Sequence, residues 1–292
     1  MAEFIQILIS GLSAGSIYAL AAVGFTLLWQ ASQTINFAQG EFVMLPAFFV
    51  LALTVKLGLP LPLAIILAIF LSVLLLGAVF KKLVVEPMIQ HGTLPLVIAT
   101  IALGLLLKEG VKEFYSPLGQ PFPSLFPQDV LSVFGAAVSI PDIANFVIAM
   151  GTIIGLQLFL ARTRTGRCMQ ATAQNPDVAQ ILGVDIKKMV LYTFLINGAL
   201  AAIASVLITP IYLAKFSNGE VLGLVAFIAA IVGGFNQIRG ALVGGLLIGV
   251  IDNLSAGYVS AEYRQAVPML LLIFVILVRP QGLLGTSEGR AV

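Results

Sequence analysis

Charged residues are so widely spaced along this 292-residue chain that the stretches between them can only be membrane spans. None falls between Glu3 and Glu41, Glu41 and Lys56, or Lys56 and Lys81, and none between His91 and Lys108. The same holds for 143–161, 189–214, 221–238 and 265–278, while 240–258 is interrupted only by Asp252. A helix rising 1.5 Å per residue needs about 20 apolar residues to cross a bilayer, so these windows predict about nine crossings (eight to ten), some of them short. With 60% hydrophobic and 10% charged residues, the expected fold class is an all-α polytopic transmembrane helical bundle. We expect a single transmembrane domain over 1–292, and the acidic start MAEFIQ lacks the basic region of a cleavable signal peptide.

The basic residues orient the bundle. Lys81, Lys82, Arg162, Arg164, Arg167, Lys187, Lys188, Arg239, Arg279 and Arg290 fall on one side when the spans alternate, ten of the fifteen Lys and Arg. That side is cytoplasmic by the positive-inside rule, which puts the N-terminus outside and the C-terminus inside. Topology accounts for the basic residues, so a lipid environment and no nucleic-acid partner are expected. The external stretch 113–142, with Pro117, Pro121, Pro123, Pro127 and Pro141, is expected to be an irregular cap.

The cytoplasmic segment 162–188, RTRTGRCMQATAQNPDVAQILGVDIKK, is polar yet patterned. Gly166 to Gln174 suits one short helix. Asn175 as N-cap, Pro176 at the first helical position and Asp177 in the first turn start a second that stops at Gly183. Val178, Ile181 and Leu182 then form an apolar ridge that no soluble part of this chain could cover, so a partner protein is expected on it.

Two intramembrane regions break the apolar pattern. SQTINFAQGEFVMLP carries Asn36, Gln39, Gly40, Glu41 and Pro46, and GGFNQIRGALVGGLLIGVIDN carries eight glycine or amide positions before Asp252. Broken helices in both halves, with about four spans on either side of a middle one, fit an inverted-repeat transporter. No sequence repeat establishes the inversion by itself. Asp252, as an ionisable group within a span, is a candidate pathway residue by default, and a structural interhelical role is the alternative.

Several chemistries are excluded or disfavoured. One cysteine, Cys168, rules out an internal disulfide, and with His91 the lone histidine no metal site is expected. Gly11-Leu12-Ser13-Ala14-Gly15 matches G-x-S-x-G, but it lies in an apolar helix without the strand a nucleophile elbow needs. Pairs such as Gly11/Gly15, Gly151/Gly155 and Gly245/Gly249 are read as helix-packing motifs, within this chain or against a second membrane subunit, and no catalytic residue is assigned. No G-x-x-x-x-G-K-[ST] occurs, so the chain has no P-loop of its own.

MAEFIQILISGLSAGSIYALAAVGFTLLW followed by NFAQGEFVM, then TGRCMQATAQNPDVAQILGV and AAIVGGFNQIRGALVGGLLIGVIDN, resemble in order the smaller permease subunit of the branched-chain amino-acid ABC importers. The similarity runs from near Phe4 to about Gly285. It implies a bacterial inner-membrane, multi-pass permease of inverted-repeat ABC importer type, not an enzyme. The implied partners are a second permease, two cytoplasmic ATPases that use ATP and Mg, and a periplasmic solute-binding protein; no cofactor is expected in this chain. It further implies ATPase coupling at Gly166, Ala171, Asn175, Ala179 and Gly183, and an entrance region at Asn36, Phe37, Gly40 and Glu41. With Gln39, where many members have His, and Asp252, these make the candidate substrate pathway. Arg167, Cys168 and Gln170 also depart from the commonest pattern. An ion-coupled carrier using Asp252 or Glu41, and a permease for urea or short amides, remain the alternatives. The orientation predicts that a cysteine introduced at Ser124 reacts with an impermeant maleimide added outside while native Cys168 does not; the reverse labelling contradicts it.

Overall fold

A computed structural model describes residues 2–33, 35–89, 91–116, 118–133, 135–260 and 262–285. Among the described residues eleven helices follow one another: α1 (Ala2–Ser32), α2 (Gln39–Lys56), α3 (Leu61–Met88), α4 (Thr93–Phe114), α5 (Ile140–Arg162), α6 (Arg164–Gln174), α7 (Pro176–Ile181), α8 (Ile186–Tyr212), α9 (Asn218–Gly233), α10 (Ile238–Tyr258) and α11 (Ala266–Val278). Seven of them are long and apolar enough to cross a membrane, and α9 and α11 are shorter apolar helices. This agrees with the expected all-α bundle of about nine spans, some short.

The stretch expected to be an irregular cap contains an antiparallel hairpin, β1 (Val130–Val133) with β2 (Ala136–Ser139), in the register Val130↔Ser139 to Val133↔Ala136. The prolines that argued for irregularity stop at Pro127 and resume at Pro141, leaving a proline-free run with valines at 130, 133 and 138. Gly135, with φ of 78°, makes the turn between the strands.

The chain forms two compact units. The first comprises Met1–Thr26, Ser124–Met150 and Leu224–Val292. Its centre is the crossing of α1 and α10. A Cβ added at Gly15 would stand 3.0 Å from Gly245 O and from Leu246 Cα, and one added at Gly249 would overlap the backbone of Gly15. Where lipid is as apolar as leucine, such close backbone approach is what holds two helices together. The G-x-S-x-G match is therefore a packing motif: Ser13 is fully buried at this level and Gly11 and Gly15 touch α10. His91, the only base that reading could use, belongs to the second unit and is exposed.

The second unit comprises Leu27–Pro123 and Gly151–Gly223. Here α2 lies along α8. Pro46 inside α2 has no N–H and disrupts the helical ladder; the neighbouring Ala47 N–H instead donates to Ser205 Oγ at 3.0 Å. α3 meets α8 through Gly77 and Gly198, where an added Cβ would come 3.0 Å from Leu195 Cα and 2.9 Å from Ser72 O. Phe80 fills the space between Phe42 (centroids 4.9 Å apart, edge-on) and Phe194 (5.7 Å). Several turns of α3, over Val73–Val79 and Lys81–Val85, are widened to π geometry.

The glycine crossings set an expected mutational contrast. Gly249→Leu should prevent α1 and α10 from closing and lower the melting temperature of the detergent-purified chain. Gly151→Ala and Gly155→Ala, with nothing within 4 Å of the added Cβ, should leave that temperature unchanged.

Candidate functional site

The segment 162–188, where coupling is expected, runs through three consecutive helix starts, each with a side-chain cap. Thr163 Oγ1 accepts the Gly166 N–H at 2.9 Å, Asn175 Oδ1 accepts the Val178 N–H at 3.1 Å, and Asp185 Oδ1 accepts the Lys188 N–H at 3.1 Å. The amide and ammonium of Lys188 hold the Asp185 carboxyl below the usual carboxylate range, so this cap stays ionised. The sequence alone singles out Asn175 but not Thr163 or Asp185, although each stands three residues before the amide it caps.

Gly166 lets α6 turn back closely on α5, since an added Cβ would strike Phe159 O and the backbone of Leu160. Ala171 O accepts the Asn175 N–H at 3.0 Å, joining α6 to the cap of α7. α7 ends in a Schellman motif: Gly183, with φ of 84°, donates to Gln180 O at 2.9 Å and Val184 N–H donates to Ala179 O at 3.0 Å. Ala179 is the buried residue of α7. Val178, Ile181 and Leu182 are 50%, 84% and 75% exposed, so the expected apolar ridge stands uncovered by this chain.

The residues expected at the entrance lie at the break between α1 and α2. Asn36 Oδ1 accepts the Ala38 N–H at 3.1 Å and its carbonyl accepts the Gln39 N–H at 3.2 Å, a local turn that opens α2. Phe37 N–H donates to Thr100 Oγ1 at 3.2 Å, while the ring is about half exposed. Ala38 lies against Gly104, near the midpoint of α4, so α2 begins at the middle of a candidate span. Gln39, fully buried, exchanges two hydrogen bonds with Asn197 near the midpoint of α8, Nε2 to Oδ1 at 2.8 Å and Nδ2 to Oε1 at 2.9 Å. Asn197 is a functional candidate that the sequence marks only as an isolated amide in an apolar run.

Gly40 and Glu41 meet the start of α9. A Cβ on Gly40 would overlap the backbone of Gly219, and a Cβ on Gly219 would overlap the Glu41 carboxylate. Glu41 is 6% exposed, and its Oε2 has no hydrogen-bond partner among the described residues. In the first turn of α9, Glu220 accepts from Lys108 Nζ at 2.5 Å.

Residues 7–276 match the family model described as branched-chain amino acid transport system / permease component. The chain belongs to this family. It is a multi-pass membrane permease subunit of an ABC importer. It is 33% identical over 302 residues to the high-affinity branched-chain amino acid transport system permease protein BraD of Pseudomonas aeruginosa, covering 99% of this chain and 98% of the relative. To the corresponding Escherichia coli K12 permease, LivH, it is 30% identical over 301 residues with the same coverage. Among solved structures, PsaBC from Streptococcus pneumoniae in complex with Fab shares the fold, with a TM-score of 0.53, 13% identity and 96% coverage of both chains.

In this permease Asp252 lies in the first unit and Asn36 to Glu41 lie in the second. Arg264, in the turn before α11, clamps Asp252 with Nε to Oδ1 at 2.8 Å and Nη2 to Oδ2 at 2.7 Å, and Tyr18 OH donates to Oδ2 at 3.3 Å. A carboxylate held by a two-pronged guanidinium is saturated, which favours the structural role for Asp252. Arg264→Ala should strand that buried charge and cost on the order of 2 kcal/mol, less than for a fully buried pair because Arg264 is partly exposed. Asp252→Asn combined with Arg264→Gln should recover part of the loss in thermal melts of the purified permease.

Proposed function

We propose that this permease moves branched-chain or related amino acids across the bacterial inner membrane by alternating access, driven by ATP hydrolysis in separate subunits. The observation that carries the reading is the capped helix pair α6–α7, which presents Val178, Ile181 and Leu182 to solvent. An apolar ridge at a membrane protein's polar edge is stabilised by a partner that covers it, and here the partner is a cytoplasmic ATPase. Gly166, Ala171, Asn175, Ala179 and Gly183 act as the coupling residues. They fix the angle of α6 on α5, the joint between α6 and α7, and the stop of α7, so that a push on α7 is delivered to α5 and α8.

The full assembly is one transmembrane domain per permease chain, a second permease that is a homologue or another copy, two ATPases supplying ATP and Mg chemistry, and a periplasmic solute-binding protein. The identity to BraD and LivH supports the amino-acid substrate. Asn36, Phe37, Gln39, Gly40 and Glu41 lie on the substrate pathway, and the chain itself performs no bond chemistry. The engagement of Asp252 by Arg264 weighs against a carrier that titrates this carboxylate.

Gly183→Pro, which cannot adopt the left-handed backbone at the end of α7, and Ala179→Arg, which places a charge in the buried face of the pair, should abolish ATP hydrolysis stimulated by the loaded binding protein. Membrane insertion should persist. Full stimulation in both variants contradicts the coupling role.

A further inference from the structure

The head of α2 and the head of α9 are written alike. Phe37-Ala38-Gln39-Gly40-Glu41 and Phe216-Ser217-Asn218-Gly219-Glu220 share F-x-x-G-E. The non-glycine residues with positive φ among the described residues are Gln33 (52°) and Leu213 (63°), and each stands a few residues before one copy. The two copies then pack on each other, Gly40 against Gly219 and Gly223, with no side chain between the backbones. This juxtaposition sets the Glu41 carboxyl against Gly219, the residue before Glu220, and Glu220 in turn holds Lys108, one turn along α4 from the Gly104 that Glu41 lies against.

The charges are unequally served. Glu220 has Lys108, and its side chain is 58% exposed, so the pair is open on one side. Glu41 is buried with Oε2 unpartnered, against Gly219 in the first turn of α9. A carboxyl oxygen left without a partner within a span is costly, and a cationic group that could reach it would be bound. The Phe216 ring stands 5.9 Å from Lys108 Nζ and supplies an apolar wall beside the same lysine.

We propose that Glu41, Lys108 and Glu220 form a subsite for the zwitterionic head of an α-amino acid in transit, with the ammonium on the two carboxylates and the carboxylate on Lys108. The inference rests on the amino-acid reading above and names the groups that execute it. Exchange is balanced: the substrate carboxylate replaces Glu220 on Lys108, and the substrate ammonium takes the released Glu220 together with the orphaned oxygen of Glu41. A neutral solute offers neither exchange. The glycines at 40, 219 and 223 keep the crossing thin, so a small shift of α9 on α2 opens Glu41 to the bound head group.

The test uses the complete transporter in liposomes with saturating binding protein and labelled L-leucine as the probe. Glu41→Gln, Lys108→Met and Glu220→Gln should each lower the initial uptake rate about tenfold or more, the effect of losing a charge-assisted hydrogen bond, and Lys108→Arg should retain most of it. Glu41→Gln should also melt at or above the wild-type temperature, because it replaces a buried carboxyl whose oxygen has no partner; a purely structural Glu41 would lower the melting temperature instead. Should Lys108→Met or Glu220→Gln alone fail to fold, the double variant removes both charges together and is expected to fold yet transport as poorly. Uptake within about twofold of wild type in Glu41→Gln or in the double variant overturns the subsite, as does a loss in Glu41→Gln that follows a lowered melting temperature. A wild-type transporter that carries no amino acid contradicts the parent reading instead, so the two failures are told apart.

Discussion

A backbone that stops being helical inside a bilayer has no water to bond to, and every helix end there must be satisfied by the protein itself. This constraint governs the break at 35–38 that opens α2, and the break at 213–217, beside the expected external stretch, is closed in the same way. At the first, Asn36 closes a local turn, Thr100 takes the Phe37 amide, and Gln39 is locked to Asn197. At the second, Asn218 Nδ2 donates to Leu213 O at 2.6 Å and Gln120 and Ala214 exchange backbone bonds. The same logic selects glycine where the two helix heads meet, since only backbone against backbone allows the ends to shield each other.

Local signals made the α6–α7 helix pair legible. N-caps, a proline at the first helical position and a glycine stop act within a single turn, so Asn175, Pro176 and Gly183 mark α7 from sequence within two residues of where it lies. Span number followed from apolar length for the same reason. Pairing between distant segments left no local trace. Gln39 and Asn197 stand 158 residues apart, and Arg264 reads as an ordinary external charge until it is seen on Asp252. The hairpin at 130–139 was obscured by the prolines around it, whose effect is local and ends before the strands begin. The duplicated F-x-x-G-E is too short to stand out among 28 glycines, and it gains meaning only from the positive-φ residues before it and the contact between its copies.

Division of labour follows from what the chain carries and what it lacks. It has rigid, capped elements at its polar edge and close glycine crossings within its units. Nothing in its sequence provides a P-loop. A permease of this kind converts motion into access and takes its free energy from elsewhere. Of the two intramembrane groups an ion-coupled carrier could use, Asp252 is committed to Arg264, while Glu41 keeps an unpartnered oxygen and is the group on which the two readings differ.

The energy source is therefore the sharpest measurement. The purified chain in liposomes should take up no amino acid under any imposed ion gradient. With the second permease, the ATPases and the binding protein added, uptake should require ATP and persist after the proton gradient is collapsed. Gradient-driven, ATP-independent uptake by the chain alone, lost in Asp252→Asn, would contradict this account.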